Sequence, residues 1–514
     1  MESLLTSENL AEWEEMENGQ LAMKISKIAD AASTQKKFSY DSHFKRSLSS
    51  VMCRRWPNAS SSLRRGFCII LRCLCREKAC IDALLSREIV ENVIGSTGFP
   101  ACCEADTPDQ ERMEACKCLI NAFFHHMPSI LVFTELRCLD GLSVAGRKEK
   151  DGEKRYLILH LAFVVSARLS ETQDYWRRDA PFVHLLCEEA LKWEKLPQNA
   201  DEALKILFNL FCHWPQMRDE VIFDATDEAI FDECLQMARR MLLYAPSQIQ
   251  NTVNLLACMP IKIDFFFPRL EKGETREISF EGREMTIAQV VMDNLGEKLR
   301  ESNIEQCEGV ELLGTYFTFL IKCSSHSKEV RRYCRLKILP PLHAVDVERP
   351  PEIGDALRNK IVRVMHSSCA PREAAAQFMF VLCKRNVNRL IKYTGLGNAA
   401  GLLANAGLLG SINEGRRESD SEDSETEDYR EVEERVNPVT GYVREERPDP
   451  MEGMSQEQKE FEAEKLMTAM HKLMGEGVFK PATIGADGRP TTVGHVLELV
   501  KNAKTPEGSD SDSE

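Results

Sequence analysis

Five apolar helical stretches in this chain carry one spacing: an apolar residue, two others, a second apolar residue, one other, then a variable residue. The series runs Leu71-x-x-Leu74-x-Arg76, Cys116-x-x-Leu119-x-Asn121, Ile158-x-x-Leu161-x-Phe163, Leu204-x-x-Leu207-x-Asn209 and Val253-x-x-Leu256-x-Cys258, in steps of 45, 42, 46 and 49 residues. A recurrence in the forties, made of helix and almost free of period-two strand, leaves each unit able to bury its apolar face only against its neighbours. The fold predicted is therefore all-α, a right-handed superhelical solenoid of the armadillo or HEAT type. The low identity between repeats and the drifting step leave an irregular helical bundle as the alternative.

Apolar residues at three-and-four spacing mark helices over 65–77, 111–126, 154–169, 201–213, 250–259, 310–323 and 371–391. The segment 263–290, with Gly-Glu and Glu-Gly turns around Glu277-Ile-Ser-Phe280, has room for one short hairpin inserted between helices. With 43% hydrophobic and 29% charged residues the 514-residue chain reads as a folded protein. Its acidic first residues lack the basic and apolar regions of a secretory signal, and no later run is long enough to span a membrane, so the expected location is cytoplasmic.

The net charge of −15 argues against a general nucleic-acid binder. The 19 cysteines include no Cys-x-x-Cys pair, and Cys68, Cys73, Cys75, Cys116, Cys118 and Cys258 fall in apolar helix, so buried reduced thiols are expected. The adjacent pairs Cys102-Cys103 and His125-His126 lack a second half at ligating distance, and neither a metal nor a cofactor is expected.

The solenoid is assigned to 1–413. Between Glu418 and Arg435 stand ten acidic and two basic residues, a composition that cannot fold alone, and 414–454 reads as an acidic, phosphorylatable linker. Ser455 and Gln458 then form a capping box opening an amphipathic helix over 455–475, which lines up Met467, Met470 and Met474 with Leu466 and Leu473 beside them. Such a stripe either caps the solenoid or grips a client. The rest, 476–514, reads as a flexible acidic tail.

No nucleophile with its base, paired carboxylates or phosphate cradle stands out. Gly395-Leu-Gly397-Asn-Ala-Ala-Gly401 follows a helix, not a strand, so these glycines end one helix and start the next. What remains is a binding surface. In armadillo-type repeats the last residue of the pattern faces the concave groove, which places Arg76, Asn121, Phe163 and Asn209 along it, with Arg72 one turn before Arg76. Two arginines one turn apart suit a carboxylate-bearing peptide. The asparagines either bond such a client or bond the backbone of a neighbouring repeat.

The strings Arg358-Asn-Lys-Ile-Val-Arg363, Phe378-Met-Phe-Val-Leu-Cys383, Ile391-Lys-Tyr-Thr-Gly-Leu-Gly-Asn-Ala-Ala-Gly-Leu-Leu403 and Asn437-Pro-Val-Thr-Gly441 resemble the synembryn family, most strongly over about 350–475. The resemblance implies a non-receptor guanine nucleotide exchange factor and folding chaperone. It would bind GDP-loaded or nascent G-protein alpha subunits and hold the nucleotide-free form, by differential binding and without covalent catalysis. It further implies that Arg72, Arg76 and Asn121 contact the C-terminal helix of the alpha subunit, and that the 455–475 helix helps hold the nucleotide-binding domain open. An acidophilic protein kinase would modify Ser419 and Ser424, each with a glutamate three residues on, and the phosphates would dock on Arg358, Lys360 and Arg363. The protein would be monomeric and brought to the cell cortex through its client. The alternative is an armadillo-type adaptor that binds linear peptides without exchange activity.

Overall fold

The computed structural model describes residues 5–35, 38–99, 107–213, 225–412, 426–443, 453–476, 482–485 and 487–492, in two compact units, Met1–Ile261 and Lys262–Glu514. The described helices of the first unit are α1 (Ser7–Glu15), α2 (Asn18–Thr34), α3 (Ser42–Arg55), α4 (Ser61–Leu74), α5 (Ile81–Leu84), α6 (Arg87–Gly95), α7 (Asp109–His125), α8 (Met127–Glu135), α9 (Cys138–Lys148), α10 (Gly152–Arg168), α11 (Ser170–Arg177), α12 (Ala180–Ala190), α13 (Pro197–Cys212), α14 (Ala225–Tyr244) and α15 (Ile249–Cys258).

Two layers result. Helices α2, α4, α7, α10, α13 and α15 pack one on the next as a ladder, and α3, α6, α8, α9, α12 and α14 succeed one another in the second layer. This is the predicted helical solenoid. Two of the ladder helices, α4 and α10, open on side-chain caps: Ser60 accepts from the Leu63 amide at 3.4 Å, and Asp151 from those of Glu153 and Lys154. The ten apolar positions of the sequence pattern are all at most 2% exposed, so the repeat is the record of the ladder's buried stripe. Full burial of each such side chain is worth about 1.5–3 kcal/mol.

Neighbouring ladder helices run in the same direction. Arg64 near the start of α4 reaches Glu111 near the start of α7 at 2.7 Å, while the carbonyl of Arg72 near the end of α4 is bonded by Asn121. Two buried carboxylates pin the array from within. Glu111 accepts from Arg64 and from Ser96 (2.8 Å), and Glu189 from Arg155 (2.5 Å) and Lys192 (2.6 Å). A buried charge persists only when paired in this way.

The second unit holds α16 (Ile263–Phe266), α17 (Thr286–Glu301), α18 (Leu313–His326), α19 (Lys328–Ile338), α20 (Leu357–His366), α21 (Arg372–Leu382), α22 (Val387–Thr394), α23 (Leu396–Asn405), α24 (Glu427–Val432) and α25 (Gln456–Gly475). α18 packs on α17, α19 and α21, and α23 packs on α20, α21 and α22. The hairpin expected within 263–290 is β1 (Ser279–Phe280) with β2 (Arg283–Glu284). Its turn residues Glu281 and Gly282 both have positive φ (49° and 77°), the primed turn that matches strand twist.

Three sequence expectations need correction. The stretch 371–391 is two helices, α21 and α22, because Lys384 and Arg385 take φ of 55° and Asn386 caps the restart by accepting from the Arg389 amide. Cys307 and Cys369 form a disulfide, Cα atoms 5.4 Å apart, against the expectation of reduced thiols throughout; 62 residues of separation offer the sequence no motif. The remaining described cysteines form no disulfide and are mostly buried.

The third concerns the acidic stretch, whose second half is not a free linker. Tyr429 on α24 is 3% exposed, with the Lys392 ammonium 4.3 Å from its ring centroid. Asp428 accepts from the Ala344 amide (3.0 Å), and the Thr426 hydroxyl donates to the Leu342 carbonyl. β3 (Val436–Asn437) and β4 (Tyr442–Val443) follow, and the loop between them accepts bonds from the amides of Leu396 and Gly397 (both 2.9 Å). The segment cannot fold alone, as its charge dictates, but it folds by docking a single aromatic and its own backbone.

Candidate functional site

The pattern-end residues sit on the ladder's uncovered side in graded exposure. Arg76 is exposed, Asn121 and Phe163 are half-buried and Asn209 is 8% exposed. Half-buried Arg72 places its Nε 3.2 Å from Glu114 Oε2, and Lys117 donates to the other oxygen of that carboxylate at 2.8 Å. The Asn121 amide nitrogen donates to the Arg72 carbonyl at 2.9 Å. Arg76, beyond the end of α4, donates to the Gln35 carbonyl at 3.2 Å.

The same clasp recurs on α10 and α13. His160 Nδ1 lies 3.1 Å from Glu202 Oε2, Lys205 donates to Oε1 at 3.0 Å, and Asn209 donates to the Phe163 carbonyl (3.5 Å) and the Ser166 hydroxyl (3.0 Å). Burial pushes the Glu202 carboxyl up, but the hydrogen bonds from His160 and Lys205 outweigh it and leave the group below its usual range. Of the two roles open to the asparagines, the geometry places their amide nitrogens on the preceding helix. The surface they hold in register is that of their neighbours, Arg72 and Phe163.

Around Phe163 lies an aromatic patch that the spacing pattern missed. The His160 ring is 5.7 Å from Tyr156, 6.0 Å from Phe163 and 6.5 Å from Phe124, while the Lys205 ammonium sits 5.7 Å from the Phe163 centroid. Phe124 is 45% exposed. The signal was present in sequence: Tyr156, His160 and Phe163 share one helix face, and Glu-Ala-x-Lys-x-Leu-x-Asn occurs at both 114–121 and 202–209. Arginines at one end and an aromatic patch further along suit a peptide that is itself amphipathic, with a carboxylate for the guanidinium forks.

The second unit distributes its expected residues differently. Lys360 and Arg363 line an open cleft of about 710 Å³ with Arg300, Glu301, Glu305 and Asp355. Arg358 does not join them: it is 8% exposed and donates to the Asp346 carbonyl at 3.1 Å, and its burial pushes its pKa down. Ser419 and Ser424 lie outside the described residues. α25 begins with the expected capping box, the Ser455 hydroxyl accepting from the Gln458 amide (3.2 Å) and the Gln458 side chain from the Ser455 amide (3.0 Å). None of its residues is buried. Met467 is exposed and Met470 and Met474 half-buried, with Phe461, Leu466 and Leu473 exposed beside them, so the stripe is open to solvent over most of its length. Where a flexible tail was expected, β5 (Ala482–Ile484) pairs with β6 (Pro490–Thr492). Among the described residues no cluster of His, Cys, Asp or Glu could hold a metal ion, and no helix is long and apolar enough to cross a membrane.

Comparison with known proteins gives a family. A family model described as guanine nucleotide exchange factor synembryn matches residues 69–489. The chain is 34% identical over 510 residues to chaperone ric-8 of Caenorhabditis briggsae, covering 86% of this chain and 88% of that one. It is 32% identical over 490 residues to chaperone Ric-8A of Xenopus tropicalis, covering 86% and 87%. An engineered protein of known structure aligns at a TM-score of 0.48 and 14% identity over 82% of this chain and 86% of its own.

Proposed function

The chain belongs to the synembryn family of guanine nucleotide exchange factors, and from that membership we propose that it is an exchange factor and folding chaperone for heterotrimeric G-protein alpha subunits. The uncovered side of the ladder takes the C-terminal helix of the alpha subunit: Arg72 and Arg76 meet its carboxylates and the Phe124, His160 and Phe163 patch meets its apolar face. α25 holds the nucleotide-binding domain open. No covalent step is involved. Exchange follows because the protein favours the open, nucleotide-free conformer, and GTP closes the client and releases it.

The observation that carries this reading is α25, a 20-residue helix with no buried residue and an apolar stripe on display. An exposed stripe of that kind on a folded chain is a contact surface for something else. The test is GDP release from purified alpha subunits of inhibitory and stimulatory type. The intact protein is expected to accelerate release, and both Arg72→Ala/Arg76→Ala and truncation before Met454 to lower that acceleration at least tenfold. Retained binding with no acceleration would instead support the peptide-binding adaptor.

The kinase arm belongs to the same reading. An acidophilic kinase phosphorylates Ser419 and Ser424, and the phosphates meet Lys360 and Arg363 at the cleft, the two of the three expected basic residues that are accessible. Kinase treatment is expected to raise exchange by the intact protein and to leave Ser419→Ala/Ser424→Ala unchanged; an equal response of both would remove the proposal. The protein works as a cytoplasmic monomer that meets its client at the cell cortex.

A further inference from the structure

Helix α23 is flanked by two glycines in the left-handed region, Gly395 (φ 74°) before it and Gly407 (φ 69°) after it. Each receives a hairpin loop through a second positive-φ glycine. At the N-terminal end Gly441 (φ 76°) of the β3–β4 loop lies against Gly395; a Cβ on Gly441 would come within 2.7 Å of Pro351, and one on Gly395 within 3.0 Å of Thr440 backbone. At the C-terminal end Gly488 (φ 72°) of the β5–β6 loop lies against Gly407. A Cβ on Gly407 would come within 2.6 Å of the Asp487 carbonyl, and one on Gly488 would overlap the Gly407 carbonyl. The Leu409 amide donates to the Gly488 carbonyl at 3.3 Å. Glycine is required at all four positions both for φ and for the approach of backbone to backbone.

The two hairpins are the described segments on either side of α25 in the chain, nine residues from Val443 to Gly453 on one side and five from Glu476 to Ala482 on the other. No residue of α25 is buried, so its own packing anchors it weakly. We propose that the glycine pairs are clasps that position α25 for its client, with Gly407–Gly488 the one that sets where its C-terminal end lies. This rests on the exchange-factor reading above.

The asymmetry of the clasps singles out the second. The first is backed by buried Tyr429, the Asp428 bonds and two backbone bonds to Leu396 and Gly397. Among the described residues the second is backed by one backbone bond and two short strands with mostly exposed residues. Glu476 and Ala482 are six residue steps apart, a span of at most about 22 Å, so while Gly488 sits on Gly407 the end of the helix is confined near α23. Released, the helix of about 30 Å is no longer held at its C-terminal end and its effective concentration at the client falls.

The test uses the full chain with bio-orthogonal labels at exposed Gly401 and Thr468, whose distance distribution is measured beside GDP release from an alpha subunit. Two variants probe the clasp: Gly488→Ala, which breaks it, and an insertion of eight Gly/Ser residues after Glu476, which leaves it intact but lengthens the tether. Expected are a narrow distribution for the parent chain, a broadened one for both variants, and a fall in maximal release rate of roughly fivefold in both. Affinity of the ladder for a peptide taken from the C-terminus of an alpha subunit should not change. Hydrogen exchange at the Leu409 amide should accelerate in Gly488→Ala only, so that a folding defect is not mistaken for lost positioning. An unchanged distribution in Gly488→Ala, or a broadened one with release at the parent rate, overturns the proposal. If the parent chain does not accelerate release, the exchange-factor reading fails while the distance distributions still decide whether the clasp positions α25.

Discussion

Asn209 and Arg76 stand at equivalent places in the sequence pattern and do different work. Asn209 is buried and donates to both the Phe163 carbonyl and the Ser166 hydroxyl; Arg76 is exposed and makes one bond to a carbonyl. Asn209→Ala removes two hydrogen bonds from a buried position, each worth about 0.5–1.5 kcal/mol net, and is expected to destabilise the protein by about 1–3 kcal/mol in chemical denaturation. Arg76→Ala should stay within about 0.5 kcal/mol and act only on client binding. Glu202 adds a pH signature at the same clasp. Its folded pKa lies below the unfolded 4.5, so its contribution to stability is complete above 4.5 and is lost as pH falls through the folded value. In Glu202→Gln that acid-side decline should be shallower when unfolding free energy is measured from pH 6 to pH 3.

At the scale of elements, the docked segment 426–443 shows how few contacts an acidic stretch needs. Tyr429 supplies the buried area, the Asp428 carboxyl is held down at about 2 by the Thr426 hydroxyl, the Ala344 amide and His343, and the hairpin loop takes two backbone bonds. Tyr429→Ala is expected to undock the segment at a cost of about 3 kcal/mol, read as faster hydrogen exchange at the Leu396 and Gly397 amides. The Asp428 bonds should persist at any pH above its unfolded 3.8 and fail as pH drops through about 2. A composition rule finds this stretch unable to fold because it counts charge over a window. It cannot weigh one tyrosine against a surface whose residues lie as far as 85 positions away in the chain.

For the molecule as a whole, the function proposed above assigns stability and exchange activity to different parts. The ladder and its partner layer in the first unit, and the helices packed around α18 and α23 in the second, bury the core; α25 buries none of it. Truncation before Met454 is therefore expected to leave the midpoint of thermal unfolding close to that of the intact chain while removing accelerated GDP release, measured side by side on one preparation.

The helical repeat, the buried stripe, the β1–β2 hairpin and the capped helix at 455–475 were legible in the sequence because each rests on local periodicity, turn chemistry or capping. The pairing of Cys307 with Cys369, the inward turn of Arg358, the aromatic patch around His160, the docking of Tyr429 and the two glycine clasps were decided only by the tertiary structure. Each depends on a distance between residues far apart in the chain, and spacing along a sequence carries no information about which of several exposed neighbours will meet. The repeated Glu-Ala-x-Lys-x-Leu-x-Asn string lies between the two: its periodicity was written in the chain, but that its asparagine faces the preceding helix became visible only once α7 lay against α4 and α13 against α10.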